Sequence, residues 1–358
     1  MKGSSRFRPS AASVPLLVAL GACVEPGHVE RQWTALGRPA SAEVWATSAR
    51  AARELADALP EGMDRVEATM SRQRPDSELN RINAEALHGY YRVADHDLFR
   101  AVALACDYAK ASDGAYDPTL GPLLRLYEGA GSAPPDAARI AQALSLVGWE
   151  GVAIERGLFS LRFRRPGIEL DLAGLIEGYA LDVTARKFVR AGSLAGLLRL
   201  GHQAYAWGRP PHTPEWWVDL LDPRSADARR FARLRIDVSR GIGASGGGGP
   251  GAPVLDPRSG GPAASDVVAA IAIADSAADA IAVSRALLVS GSIRAGALLG
   301  ERTHRVEAIL LVDGAGEPQV IASASLRQRL ELAEALAREA GGRLSFLLPP
   351  QRLVGRLD

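Results

Sequence analysis

The segment from Asp275 to Gly291 carries three charged residues whose spacing could do chemistry. Asp275 and Asp279 are four residues apart, so on a helix their carboxylates would share one face. Carboxylate oxygens suit a hard divalent cation such as Mg²⁺. Carboxylates in a first helical turn also complement the positive end of the helix dipole, and this is the interpretation that we favour.

Arg285, the third charged residue, lies in an apolar stripe of the same predicted helix. Residues at helical spacing form this stripe: Ala278, Ile281, Ala282, Arg285, Leu288 and Val289. A guanidinium in an apolar stripe is costly unless it meets an anion or reaches water. The pattern therefore predicts an anionic partner for Arg285, or a head group that extends to solvent.

The elements that must position these residues are mixed along the chain. The helix itself has start and stop signals, because Asp275 or Ser276 can cap its first turn and Gly291 can end it. Elsewhere, helical and strand-like stretches follow one another without strict βαβ alternation. This favours an α+β fold with mixed, largely antiparallel sheets flanked by helices.

Length and composition indicate a globular protein. The chain has 358 residues, of which 47% are hydrophobic and 23% are charged. This is enough for a substantial core in one large domain or two small ones. The formal net charge is only +1 and the arginines are dispersed, so we expect no nucleic-acid partner.

The first residues have the pattern of an exported lipoprotein. A positively charged start precedes a short apolar stretch, Val14 to Ala19, which is followed by the sequence LGAC at Leu20 to Cys23. LGAC resembles a bacterial lipoprotein box, in which the cysteine is lipidated. We therefore expect Cys23 to anchor the mature protein to the bacterial cell membrane, on its periplasmic side.

The expected organisation has three segments: a signal peptide over residues 1–23, a tether over residues 24–34 and one domain over residues 35–350. The second cysteine, Cys106, lies in an apolar helical run. We expect it in the core rather than in catalysis, and one remaining cysteine cannot form a disulfide framework.

Five stretches carry a family resemblance, and they occur in a fixed order. They are MSRQRPDSELNRIN, SDGAYDPTLGPLLRLY, LDLAGLIEGYALD, VLDPRSG and ADAIAVSRALLVSG. Together they resemble the FAD:protein FMN transferase family, also called the ApbE family, over about residues 35–345. The resemblance implies an ApbE-like fold, and the family's periplasmic or membrane-tethered location agrees with the leader.

The resemblance also implies a reaction. The family uses Mg²⁺ to cleave the pyrophosphate of FAD and passes the FMN phosphate to a threonine or serine hydroxyl of a target flavoprotein, while some relatives hydrolyse FAD to FMN and AMP. FAD would then be a substrate, Mg²⁺ a cofactor and a flavoprotein the acceptor. Concentrated phosphate charge explains why such a site needs a cation.

The resemblance places site residues at matching positions. Gly174 matches the position that supplies one metal ligand, commonly through its carbonyl. The resemblance identifies no catalytic residue in this chain. FAD contacts are implied at six positions: Ala115, Tyr116, Asp117, Asp171, Glu177 and Leu255.

Several positions depart from the family pattern. In the helix that matches ADAIAVSRALLVSG, relatives place a carboxylate and, four residues on, an oxygen side chain that bind Mg²⁺; here these positions are Ile281 and Arg285. A family histidine aligns with Pro253, and an aromatic residue that follows the Met-Ser pair aligns with Gln73. A family TSGDY loop aligns with the six residues ASGGGG, 244–249.

Three interpretations of the helix remain open. Arg285 could occupy the vacated metal position and meet a ligand phosphate, Glu177 or Asp171. The alignment could slip by two, which would put Asp279 at the ligand position with Val283 as its partner. Asp275 and Asp279 could also form a displaced metal site.

Accordingly, two functions stay possible: an Mg²⁺-dependent FMN transferase, or a catalytically impaired lipoprotein that has lost the metal and binds a flavin or a partner.

Overall fold

The computed structural model describes residues 25–130, 134–213, 215–224, 227, 229–236, 239–246, 253–300, 306–313, 318–339, 341 and 344–347. The expected signal peptide and Cys23 lie outside these residues. So do residues 247–249, half of the segment aligned with the family's TSGDY loop, and residues 348–350 at the end of the expected domain.

Fifteen strands and ten α-helices occur in the described part of the chain, together with three short 3-10 turns. The strands are β1 (Gly27–Ala35), β2 (Arg38–Ala46), β3 (Tyr91–Arg92), β4 (Val152–Glu155), β5 (Ser160–Phe163), β6 (Ser193–Leu200), β7 (Gln203–Gly208), β8 (Trp216–Leu221), β9 (Arg230–Ile236), β10 (Arg240–Gly246), β11 (Val267–Ala274), β12 (Glu307–Val312), β13 (Gln319–Ser323), β14 (Leu330–Leu332) and β15 (Leu344–Leu347). The helices are α1 (Ala49–Asp57), α2 (Leu59–Met70), α3 (Glu78–Glu85), α4 (His96–Ala111), α5 (Gly121–Glu128), α6 (Ala137–Leu144), α7 (Ile176–Arg190), α8 (Ala277–Ser290), α9 (Ser292–Gly300) and α10 (Glu334–Glu339).

The strands form one large sheet and two small ones. The large sheet has the order β1-β2-β6-β7-β10-β11-β12-β13-β15. All of its neighbouring strands are antiparallel except β13 and β15, which are parallel. The small sheets, β14-β9-β8 and β3-β5-β4, are antiparallel throughout. The predicted α+β class with largely antiparallel sheets is confirmed.

Both faces of the large sheet are covered, because alternate residues of its central strands enter different hydrophobic clusters. On β11, Ala270 and Ala272 pack with the helices, whereas Ile271 and Ile273 pack towards the sheet β14-β9-β8. This alternation follows from the two-residue period of a strand. Strand β12 is buried at every position, as expected of a strand with neighbours on both faces.

Glycines in β10 allow α8 to lie close to the large sheet. A Cβ atom on Gly241 would be 2.2 Å from the main-chain nitrogen of Ala277, and one on Gly243 would be 2.3 Å from that of Ile281. Such distances are below any real contact, so only glycine permits this approach. The helix α8 is thereby held in one position on the sheet.

The helix α8 itself agrees with its sequence signals. It runs from Ala277 to Ser290, and the Ser276 side chain accepts a hydrogen bond from the main-chain N–H of Asp279. Gly291 ends the helix with a φ of 81°, in the left-handed region. The predicted caps are confirmed, with Ser276 rather than Asp275 as the N-cap.

The expected tether is wrong for most of its length. Residues Gly27–Ala35 form β1, and every one of them pairs with a residue of β2. Alternate residues Val29, Arg31 and Trp33 are partly buried while their neighbours are exposed. This period of two is typical of an edge strand that covers the fold on one face. Within the described residues, no helix is both long and apolar enough to cross a bilayer.

Candidate functional site

A cavity of about 460 Å³ collects the residues that the sequence predicts as a site. Ligand sites for small molecules have volumes of this order. Its walls are contributed by the turn between β1 and β2, the end of α2, the loop after α4, the loop before α7, the segment 253–257 and α8. The following predicted positions line it: Ala115, Tyr116, Asp117, Asp171, Gly174, Glu177, Leu255 and Arg285.

Asp171 is paired with an arginine. Its Oδ2 accepts a hydrogen bond of 2.6 Å from Nε of Arg72, and its Oδ1 accepts one of 2.7 Å from the main-chain N–H of Ala173. The side chains of Asp171 and Arg72 are only 5% and 12% exposed. Arg72 also pairs with Glu128 of α5. A buried charge pair of this kind fixes the two loops relative to each other.

Asp117 uses its carboxylate inside its own loop. Oδ1 accepts hydrogen bonds from the main-chain N–H of Thr119 at 2.8 Å and from its hydroxyl at 2.6 Å, while Oδ2 accepts one from the main-chain N–H of Trp149 at 3.0 Å. Burial raises the pKa of Asp117 above its usual value. Because the carboxylate is engaged in these hydrogen bonds, we expect a ligand to contact the main chain of Asp117.

Tyr116 forms the buried floor of the cavity beside α8. The residue is 5% exposed, and its main-chain N–H donates to the hydroxyl of Ser112 at 3.0 Å. The loop reaches this position through Asp113 and Gly114, whose φ angles of 53° and 71° are left-handed. Burial raises the pKa of the Tyr116 hydroxyl, so the group stays neutral.

Glu177 lies in the first turn of α7 and pairs with Arg38, the first residue of β2. Its Oε1 is 3.3 Å from Nε of Arg38. No side chain caps the start of α7, and Gly174 precedes its N-cap residue, Leu175. Leu255 is 4% exposed and packs with Leu123 of α5, so it offers an apolar surface to the cavity.

The metal position implied by the resemblance does not fit a divalent cation. Ile281 has no ligand atom and is 2% exposed, in the interior. Arg285 projects its side chain over Gly174: a Cβ atom on Gly174 would be 3.1 Å from both Cδ and Nε of Arg285. A guanidinium is a permanent cation and would repel the ion. Three side chains among the described residues do have metal-ligand spacing, but they lie on β1 and β2: His28, Glu30 and Glu43.

The geometry does not favour the two alternative metal sites. Asp279 accepts a hydrogen bond of 2.7 Å from the hydroxyl of Ser276 and another from the hydroxyl of Tyr108. Asp275 pairs with Arg240. Neither carboxylate lines the cavity, so the slipped register and the displaced site both lack free ligand oxygens there. The first-turn interpretation is the one that the geometry supports.

Arg285 pairs with neither predicted carboxylate. Asp171 is bonded to Arg72, and Glu177 faces Arg38. Within the part of the chain that the structure describes, Arg285 has no hydrogen bond or ion pair, and its neighbours are Gly174 and the Tyr116 ring. Arg285 is half-buried and lines the cavity, which agrees with the predicted head group that extends to solvent. Of the predicted anionic partners, a ligand phosphate is the one left.

Sequence reasoning missed Arg72 as a site residue, although it lies inside the family-like stretch MSRQRPDSELNRIN, because no local pattern there points to a carboxylate. The pairing of Arg38 with Glu177 was likewise not predicted. Gln73 and Pro253, two departures from the family pattern, also line the cavity. The expectation for Cys106 is confirmed: it packs in the core, and burial raises its pKa to about 12, so the thiol is not a nucleophile.

Comparison with known proteins places this geometry in a family. The model of the ApbE family matches residues 36–310. A protein of Treponema pallidum named FAD:protein FMN transferase is 26% identical over 94% of this chain and 98% of its own length, and one of Klebsiella pneumoniae with the same name is 28% identical over 55% and 63%.

Solved structures share the fold. The flavin transferase ApbE from Vibrio cholerae superposes with a TM-score of 0.73 at 22% identity, covering 85% of this chain and 99% of that one. The ApbE protein of Thermotoga maritima gives a TM-score of 0.69 at 23% identity, covering 87% and 99%. With a family match over most of its length, this chain is a member of the ApbE family.

Proposed function

We propose that this chain is a FAD:protein FMN transferase that binds FAD in the cavity between α7 and α8. The observation that carries the proposal is the convergence of the family-matched residues on one cavity. These residues come from stretches far apart in the sequence, and nothing but the fold brings them together. The relatives named FAD:protein FMN transferase support the same activity.

The reaction would be a phosphoryl transfer to a protein hydroxyl. The oxygen of a threonine or serine hydroxyl on the acceptor flavoprotein forms a bond to the phosphorus of the FMN half of FAD. The P–O bond of the pyrophosphate breaks, AMP leaves with its electron pair, and the hydroxyl proton passes to a base. Within the cavity, the loop around Tyr116 and the buried pair of Arg72 and Asp171 would shape and orient the bound nucleotide.

The Mg²⁺ that the family uses is not part of this proposal. The positions that would hold it carry Ile281 and Arg285, which do not fit a divalent cation. A second function is supported by a specific observation, namely that the permanent cation of Arg285 lines the cavity beside Gly174, where the resemblance implies a metal. In this second function the chain binds a flavin nucleotide without transferring it.

One experiment separates the two functions. The mature protein is incubated with FAD and a flavoprotein that carries an acceptor threonine or serine, and the mixture is analysed by chromatography for AMP and by in-gel fluorescence for covalent flavin. AMP release with flavin attached to the acceptor supports the transferase. AMP without attachment indicates FAD hydrolysis, and binding of FAD without AMP indicates a binding protein.

We further propose that the chain is exported and anchored by a lipid on Cys23. The support is the leader pattern with its LGAC sequence. Expression of the full chain and of Cys23→Ser in a bacterial host, followed by fractionation and labelling with a fatty-acid analogue, tests this. We expect label and membrane association for the unmodified chain and neither for the variant.

A further inference from the structure

We propose that Arg285 binds the phosphate groups of the nucleotide directly, so that this chain holds its ligand without a divalent cation. The inference rests on the proposed binding of a flavin nucleotide. It identifies Arg285 as the positive charge that contacts the phosphates of this nucleotide. It concerns the part of the cavity around Gly174, Tyr116 and the start of α7. The anion it requires is a phosphate or diphosphate ester.

The pairing of charges in the cavity is the first argument. Two of the three arginines that line it are already neutralised, Arg72 by Asp171 and Glu128, and Arg38 by Glu177. Arg285 is the lining arginine without a carboxylate partner among the described residues. Arg285, which is half-buried, is therefore the positive charge that the cavity offers to an incoming anion, in a lining that also includes the carboxylates of Glu67 and Asp117.

The second argument is that the helix carrying Arg285 is held in place. It is anchored at its start, where Asp182 of α7 accepts hydrogen bonds from the main-chain N–H groups of Ala277 and Ala278 at 2.7 and 3.0 Å. A Cβ atom on Gly174 would be 3.1 Å from Cδ and Nε of Arg285 and from Cε2 of Tyr116, so the arginine side chain lies at this part of the cavity. Its planar, permanently charged guanidinium suits a phosphate.

The start of α7 adds to the positive potential at the same place. No side chain caps this helix, and residues Gly174, Ile176 and Glu177 line the cavity around its first turn. The main-chain N–H groups of Leu175 and Ile176 both donate to the carbonyl of Leu172 at 2.8 Å, so this helix start acts through its dipole, which favours an anion. Glu177 would oppose an anion here, but its carboxylate is paired with Arg38.

The structure also explains why a metal would not assist. A divalent cation placed over Gly174 would occupy the position of the Arg285 side chain and be repelled by its charge. Ile281, one turn earlier on α8, offers no oxygen to offset this. The nucleotide and the guanidinium would thus form a pair without a bridging ion.

The test compares three flavins that differ in phosphate content. Dissociation constants of FAD, FMN and riboflavin are measured by fluorescence titration in EDTA and in MgCl₂. The proteins are the unmodified mature chain, Arg285→Gln, Arg285→Lys and the control Arg53→Gln, whose arginine is exposed on α1. Circular dichroism and thermal unfolding establish that each variant is folded. Inorganic pyrophosphate serves as a flavin-free probe by calorimetry.

We expect FAD and FMN to bind the unmodified chain equally well in EDTA and in MgCl₂. Arg285→Gln should weaken both by about 10- to 100-fold, the loss that follows from removing a charge-assisted hydrogen bond, and should leave riboflavin unchanged. Arg285→Lys should give a smaller loss, since it keeps the charge but not the two-pronged geometry. Arg53→Gln should behave like the unmodified chain.

Two results would overturn the inference while leaving the proposed function intact. FAD binding that requires Mg²⁺ would show that an ion, not Arg285, meets the phosphates. Equal FAD affinity of folded Arg285→Gln and the unmodified chain would show that the arginine has no ligand. If no flavin binds, the proposed function fails, and the pyrophosphate titration then tests the anion site by itself. Pyrophosphate binding to the unmodified chain that is lost in Arg285→Gln supports the anion site. No pyrophosphate binding to the unmodified chain rejects it.

Discussion

Arg285 covers Gly174 in the cavity: a Cβ atom on Gly174 would be 3.1 Å from Cδ and from Nε of the arginine. Gly174 is the residue that the family resemblance links to a metal ligand. A permanent cation therefore stands where relatives are expected to hold a divalent one. Four further predictions follow from this arrangement and from the ion pairs and helix contacts around it.

Gly174→Ala should weaken nucleotide binding without unfolding the protein. The added Cβ would be 3.1 Å from Arg285 and also 3.1 Å from Cε2 of the buried Tyr116 ring, so the flexible arginine must move. We expect about a tenfold loss of FAD affinity, the cost of one misplaced charge-assisted contact. The matched control is Gly296→Ala in α9, where no atom lies within 4 Å of the new Cβ. Equal affinities in the two variants would contradict the prediction.

Ile281→Asp combined with Arg285→Thr should create a response to divalent ions. The two side chains are four residues apart on α8 and would present oxygen atoms on one face, beside Gly174. Thermal unfolding with and without MnCl₂ measures the response. We expect a rise in Tm of the double variant and none for the unmodified chain. A folded double variant without a rise would mean that this face of α8 cannot place two ligands around one ion.

Arg72→Gln should destabilise the fold through Asp171. The variant leaves a carboxylate that is 5% exposed without its counter-charge, and breaking a buried pair in this way costs about 3 kcal/mol. Urea unfolding gives the free energy of unfolding for this variant and for Arg53→Gln, its exposed counterpart. A loss below about 0.5 kcal/mol, as surface substitutions typically give, would show that the pair contributes little.

Asp182 should make stability depend on pH. Burial raises its pKa to about 7, from an ordinary value near 3.8, despite two hydrogen bonds from the start of α8. Arg186, a favourable charge, and Asp279, an unfavourable one, also act on it. Between pH 4 and 7 the folded chain keeps a proton that the unfolded chain has released, so this group's contribution to stability falls as pH rises through that window.

Asp182→Asn should remove this contribution. The free energy of unfolding is measured in urea at pH 5 and at pH 7.5 for the unmodified chain, Asp182→Asn and Asp64→Asn, whose carboxylate is exposed on α2. We expect the decrease between the two pH values to be smaller in Asp182→Asn than in the other two proteins. An unchanged decrease would assign the pH dependence to other groups.

Local structure in this protein follows from local sequence. Ser276 and Gly291 bound α8 as their residue types predict, and Pro60 lies in the first turn of α2, a position that proline tolerates. Residues 253–261 form a loop, and Leu255 makes a bridge with Pro262. The four-residue spacing of Ile281 and Arg285 also follows from the sequence, because helix geometry fixes which side chains share a face.

The sequence by itself determined the family, through the order of its matched stretches. The proposal that Ile281 and Arg285 replace metal ligands also comes from the sequence, through the family resemblance. Only the tertiary structure decided which charges meet. Arg72 and Asp171 are 99 residues apart along the chain, and whether they pair depends on how the loops before α3 and α7 pack. Ion pairing requires contact within about 4 Å, which spacing along the sequence does not specify. That Asp171 and Glu177 pair with other arginines, and that Arg285 has no carboxylate partner among the described residues, therefore followed only from the tertiary structure.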